Sequence, residues 1–139
     1  MYESYSRQAL PSTKYRELLG SALCVFNSNN AFIIENILNH DVGNYSWHYL
    51  IDRTSGKLSG PIQETITRVS DTKIAEKFND LIEVRNRIIH GFQVTHQGEQ
   101  ILATKDRSNK QYIITEEYLL GFIKDNEELT DLLHSFRGN

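Results

Sequence analysis

Arg85, Asn86 and His90 stand within six consecutive residues, Arg-Asn-Arg-Ile-Ile-His, and together they carry the side chains that cleavage of RNA requires. RNA brings its own nucleophile, the 2′-hydroxyl beside the scissile phosphate. An enzyme must add a proton acceptor or donor that works near neutral pH, and a fixed cation for the charge developing on phosphorus. Histidine, with a reference pKa of about 6.5, suits the first task. Arginine suits the second, because its planar fork holds two phosphate oxygens at once. This chemistry calls for no metal and no cofactor. Asn86 lies four residues before His90, close to it in azimuth on a helix, so its amide can orient the imidazole or bind phosphate.

These residues fall near the end of a helix expected to run from its N-cap, Asp71, to about Gly91. At about 100° per residue, with Arg85 at zero, Ile74, Phe78, Leu81, Ile88 and Ile89 all fall within roughly 60° of it. Arg85 therefore occupies the middle of the helix's own apolar stripe. Asn79, Glu83, Asn86 and His90 form a polar column at about 100–160°. An arginine is not neutralised by burial, so it needs a partner. Either an acid such as Glu35 satisfies it within the monomer while His90 merely caps the helix C-terminus, or the stripe faces a second molecule.

The pattern of Arg85, Asn86 and His90 resembles the signature of the HEPN domain family (higher eukaryotes and prokaryotes nucleotide-binding). That signature is an arginine, commonly followed by a polar residue, then a histidine after a gap of about four to six. By motif the resemblance covers the hexapeptide; by architecture it covers roughly residues 12–92 and 115–136. It implies a metal-independent endoribonuclease of the toxin or antiviral-defence kind, acting on single-stranded RNA and leaving a 2′,3′-cyclic phosphate. It also implies a homodimer that pairs the motif helices, so that two arginines and two histidines share one cleft. This arrangement answers a difficulty of the single helix, on which Arg85 and His90 point about 140° apart. An apolar stripe with a central arginine also suits a self-complementary interface. The other reading is a non-catalytic HEPN-like module that binds nucleotides or proteins. Some HEPN toxins carry, two residues after the histidine, a tyrosine that a partner nucleotidyltransferase modifies. That position is Phe92 here, so control is expected from an antitoxin or regulatory protein, from expression, or from access to the cleft.

Arg87, Lys105, Arg107 and Lys110 can touch RNA phosphates, although charges at a hairpin tip more often solubilise a strand edge. Tyr45, Trp47 and Tyr49 can stack on bases, with helix packing the commoner use. His40, His48, His96 and His134 lack metal-ligand spacing with one another and with Cys24, so no metal site is expected. Cys24, the sole cysteine, reads as a small core hydrophobe in a reducing compartment. A net charge of −3 argues against a broad non-specific nucleic-acid surface but leaves room for a local basic site. The first ten residues contain no apolar signal region and no run is long enough to span a membrane, so a cytoplasmic protein is expected.

The elements that must position the motif are mainly helical. The expected fold is a single domain over residues 1–139, a HEPN-like helical bundle with a small antiparallel β-meander inserted before the last helix. Residues 1–10 read as a polar tail. Pro11-Ser12 opens a long helix carrying Tyr15, Ala22, Phe26, Ile33 and Ile37 at helical spacing. Asn27–Asn30 reads as a solvated turn or break; the alternative is a continuous helix whose Asn30 enters a polar pocket. Ser46 caps a short helix through Ile51, and Pro61 begins another that carries Ile62, Ile66 and Val69. Residues 92–114 hold three β-prone runs, Phe92–Thr95, Gln100–Thr104 and Gln111–Ile114. Thr115 opens the last helix, expected to bury Tyr118, Leu119, Phe122, Ile123, Leu129, Leu132, Leu133 and Phe136.

Overall fold

Tyr15, Ala22, Phe26, Ile33, Ile34 and Ile37 recur at helical spacing and line the buried face of one long helix, α1 (Thr13–Asn39). In the computed structural model, which describes residues 2–138, this helix pairs along its length with α5 (Glu116–Arg137). The two run parallel: Lys14 meets Glu116 at their starts, and Phe32 meets His134 near their ends. Helix α4 (Lys73–Ile89) runs antiparallel to α5, with Lys77 near its start reaching Asp125 and Glu128. At the centre Phe26 stacks on Phe78 at 5.9 Å and on Phe122 at 6.1 Å. This aromatic column joins all three helices.

Ser12 caps α1 by accepting from the Tyr15 N–H, and Thr115 caps α5 by accepting from that of Tyr118. The break expected at Asn27–Asn30 does not occur. Asn29 is buried and its Nδ2 donates to the Asn126 carbonyl at 2.9 Å, while Asn30 Oδ1 accepts from Ser55 Oγ at 2.6 Å. These amides find partners across the bundle, so they no longer compete with the helix's own backbone bonds.

A second layer covers α1 and the first half of α4. It holds α2 (Trp47–Ile51), capped by Ser46, a 3₁₀ turn (Ser55–Leu58), α3 (Ser59–Ile62) and a π turn (Gln63–Thr67). The helix expected after Pro61 is present and carries Ile62, Ile66 and Val69, with its middle turn wound as a π segment. Leu50, Leu58, Ile62 and Ile66 are buried in this layer, whereas Val69 is half exposed. Thr72, rather than Asp71, holds the N-cap position of α4; Asp71 Oδ1 accepts instead from the Lys73 N–H.

Strands β3 (Phe92–His96), β4 (Glu99–Lys105) and β5 (Gln111–Ile113) form the expected antiparallel meander before α5. Gln97 and Gly98 turn between the first two with φ of 52° and 80°, as a two-residue hairpin demands. Residues 1–10 are not simply a tail. β1 (Tyr2–Glu3) pairs with β2 (Gln8–Ala9), and Arg16 of α1 ties down the hairpin through Glu3, Tyr5 and the Pro11 carbonyl. Two-residue strands show no alternation that a sequence pattern can register.

Cys24 is exposed, on the far side of α1 from Phe26, and not in the core. On α5, Leu119, Phe122, Leu129 and Leu133 are buried; Tyr118, Ile123, Leu132 and Phe136 are only partly so. Among the described residues no helix is long and apolar enough to cross a membrane.

Candidate active site on helix α4

The last two turns of α4 carry Arg85, Asn86 and Arg87, and His90 is the first residue beyond the helix. The His90 backbone N–H donates to the Asn86 carbonyl at 3.0 Å, closing the last turn. Its imidazole is exposed and, among the described residues, makes no hydrogen bond. Gly91 fixes where that imidazole stands. A Cβ there would meet the Ile88 carbonyl at 3.0 Å, the Ala103 carbonyl at 3.2 Å and Ile114 Cδ1 at 3.3 Å. Only glycine lets the end of α4 press this closely against β4.

Arg85 lies on the apolar side of α4, as its spacing requires. Its guanidinium carbon sits 5.0 Å from the centre of the Phe26 ring. Its Nε is buried without a hydrogen-bond partner. Among the described residues no carboxylate pairs with it; Glu35 instead lines a groove between α1 and α5. Loss of water lowers the Arg85 pKa from its usual value, yet an arginine stays charged at any physiological pH. The cation is thus held over an aromatic face, which attracts it electrostatically but accepts no N–H in the plane of the guanidinium. Beside it Ile89 is 50% exposed, so the apolar stripe continues out to the surface.

Arg87 is differently placed. Its Nη1 donates to the Lys105 carbonyl at 2.7 Å and its Nε lies 3.5 Å from Glu83. Arg107 meets the same Glu83 at 3.3 Å. These contacts strap the β4–β5 turn onto α4. In that turn Asp106 Oδ1 accepts from the Ser108 hydroxyl at 2.6 Å and from the backbone N–H groups of Lys110 and Ser108, which together hold its carboxyl below the usual range. The Lys105 and Lys110 ammonium groups are in no ion pair among the described residues.

One chain therefore brings Asn86 and His90 to one face and leaves Arg85 on another. A concavity of about 450 Å³ between α1 and α5 is lined by Asn29, Phe32, Glu35, His134 and Arg137 and lies away from the motif. Among the described residues no three His, Cys, Asp or Glu side chains gather as metal ligands do. Two contributors are invisible in the sequence pattern. Phe26 reads only as a core position, and Gly91 only as a helix stop. Phe92, which stands where some HEPN toxins carry a tyrosine, is 41% exposed.

No protein-family model, no curated protein and no solved structure matches this chain.

Proposed function

We propose that this protein is a HEPN-type, metal-independent endoribonuclease that works as a homodimer in the cytoplasm, as a toxin or antiviral-defence effector. One observation carries the reading: Arg85, a cation without a counter-ion, lies on Phe26 beside the half-exposed Ile89. The Phe26 ring attracts the cation but leaves its Nε without a hydrogen-bond acceptor. Two copies meeting at the exposed end of α4, around Ile89, would set two such cations near two exposed histidines.

In that cleft both arginines hold the scissile phosphate through bidentate bonds. His90 takes the proton from the 2′-hydroxyl, whose oxygen attacks phosphorus. The partner's His90 gives a proton to the departing 5′-oxygen. The products are a 2′,3′-cyclic phosphate and a 5′-hydroxyl. Asn86, whose side-chain amide is unbonded within the chain, orients His90 or donates to a phosphate oxygen. The decisive assay compares parent protein with His90→Ala on single-stranded RNA. Cleavage by the parent and its loss in the variant support the reading. Equal behaviour of the two, with or without cleavage, removes His90 from any catalytic role.

A further inference from the structure

The segment around α2 carries a second group of exposed functional side chains. Trp47 is 45% and Tyr49 50% exposed, where packing against the bundle would have hidden them. The Arg53 guanidinium lies 4.9 Å over the Tyr49 ring, and its Nη1 donates to the Tyr49 hydroxyl at 2.8 Å. That bond ties the arginine to Tyr49, whose ring also stacks with Tyr45 at 6.4 Å. Among the described residues ion pairs involve Lys14, Arg16, Lys77, Arg87 and Arg107, so Arg53 and Lys57 are in none. With Asp52 and Thr54 they line a concavity of about 330 Å³. Arg53 and Lys57 thus form a local basic site beside exposed aromatic rings, which a net charge of −3 leaves room for.

We infer that the Tyr49–Asp52–Arg53–Lys57 surface binds a nucleotide of single-stranded RNA. The base stacks on the exposed surface of Trp47 and Tyr49. Arg53 and Lys57 take the phosphate. Asp52, an acceptor beside two donors, receives the ribose 2′-hydroxyl, the group that separates RNA from DNA. The inference rests on the ribonuclease reading for its substrate class, but binding is measured without cleavage.

The test uses full-length His90→Ala protein and fluorescence anisotropy with a labelled single strand of about ten nucleotides, as RNA and as DNA of the same sequence. Adding Tyr49→Ala and Arg53→Gln together is expected to weaken RNA binding at least about tenfold and to lower the salt slope by about one. Lys124→Gln, on α5 and outside this surface, should stay within about threefold. Asp52→Asn should narrow the preference for RNA over DNA. These residues are on the surface, so unchanged circular dichroism melting separates lost binding from lost folding. Absence of RNA binding, or an unaltered dissociation constant in the double variant, overturns the surface. If the double variant binds poorly while the parent binds well yet never cleaves, the surface stands and the ribonuclease reading falls. If the parent cleaves and the double variant binds and cleaves equally well, the reverse holds.

Discussion

Arg85 and Phe26 face each other at 5.0 Å, and the buried Nε of that arginine has no hydrogen-bond partner. A residue serving only stability would more cheaply be a leucine, since an unpaired polar atom costs about 1–3 kcal/mol. Replacing a cation here by an apolar group should therefore leave the fold intact or strengthen it. Arg85→Leu is expected to melt at or above the parent temperature and to lose RNA cleavage. Arg85→Lys should also be severely impaired, because a point charge cannot reproduce the bidentate fork. Cleavage by the lysine variant at the parent rate would remove Arg85 from phosphate binding.

Dimerisation through α4 follows from the same residue. Light scattering at micromolar concentration should report a dimer, and Ile89→Asp, which puts a charge on the half-exposed end of the stripe, should give monomers without RNA cleavage. A parent protein that is monomeric under those conditions would defeat the composite cleft.

Because the nucleophile belongs to the substrate, cleavage should persist in EDTA and leave a 2′,3′-cyclic phosphate. Mass spectrometry of the fragments reads this directly. Activity that chelation abolishes and magnesium restores would contradict the mechanism, as would 3′-hydroxyl ends.

How much of this was open to sequence reasoning depended on how far apart the partners lie. The meander announces itself through Gln97-Gly98 between short β-prone runs, and Thr115 through its place before Glu116 and Glu117, because those signals are local. The continuity of α1 through Asn27–Asn30 rests on bonds to Asn126 and Ser55, which lie 97 and 25 residues away. Nothing near the asparagines reveals them. At the site, the position of Arg85 on the apolar stripe follows from helical arithmetic alone, yet its aromatic partner leaves no sequence mark, whereas an acid would have been sought by charge. The exposed face of Trp47 and Tyr49 was hidden for the opposite reason: aromatic residues at helical spacing more often pack inward.

Gly91 supplies a test of positioning independent of chemistry. Gly91→Ala forces a methyl between two carbonyl oxygens and the Ile114 side chain, so the end of α4 must shift from β4. A loss of about 1–3 kcal/mol in urea unfolding is expected, together with a fall in RNA cleavage larger than the fraction unfolded accounts for. Full stability would mean that α4 and β4 separate easily, and that Gly91 does not fix His90.

Tyr15 tests the join between the bundle and the meander. Its hydroxyl donates to the Ile114 carbonyl at 2.7 Å and accepts from the Leu102 N–H at 3.3 Å, so one buried group holds both β4 and the end of β5 to α1. Tyr15→Phe leaves both backbone groups without this partner and should cost about 1–3 kcal/mol near neutral pH. Burial raises the Tyr15 pKa above its usual value, an effect that outweighs the opposing bond from Leu102. The folded state thus holds the phenolic proton more tightly than the unfolded state. The resulting stability is present in full below the unfolded pKa of about 10 and is lost as pH climbs toward the folded value. The gap between parent and Tyr15→Phe in urea unfolding should therefore be constant at neutral pH and narrow above about pH 10. Comparison with the variant cancels the contributions of the other tyrosines. A gap that stayed constant or widened in alkali would show that the hydroxyl ionises as easily inside the protein as outside it, and that the seam between α1 and the meander is open to water.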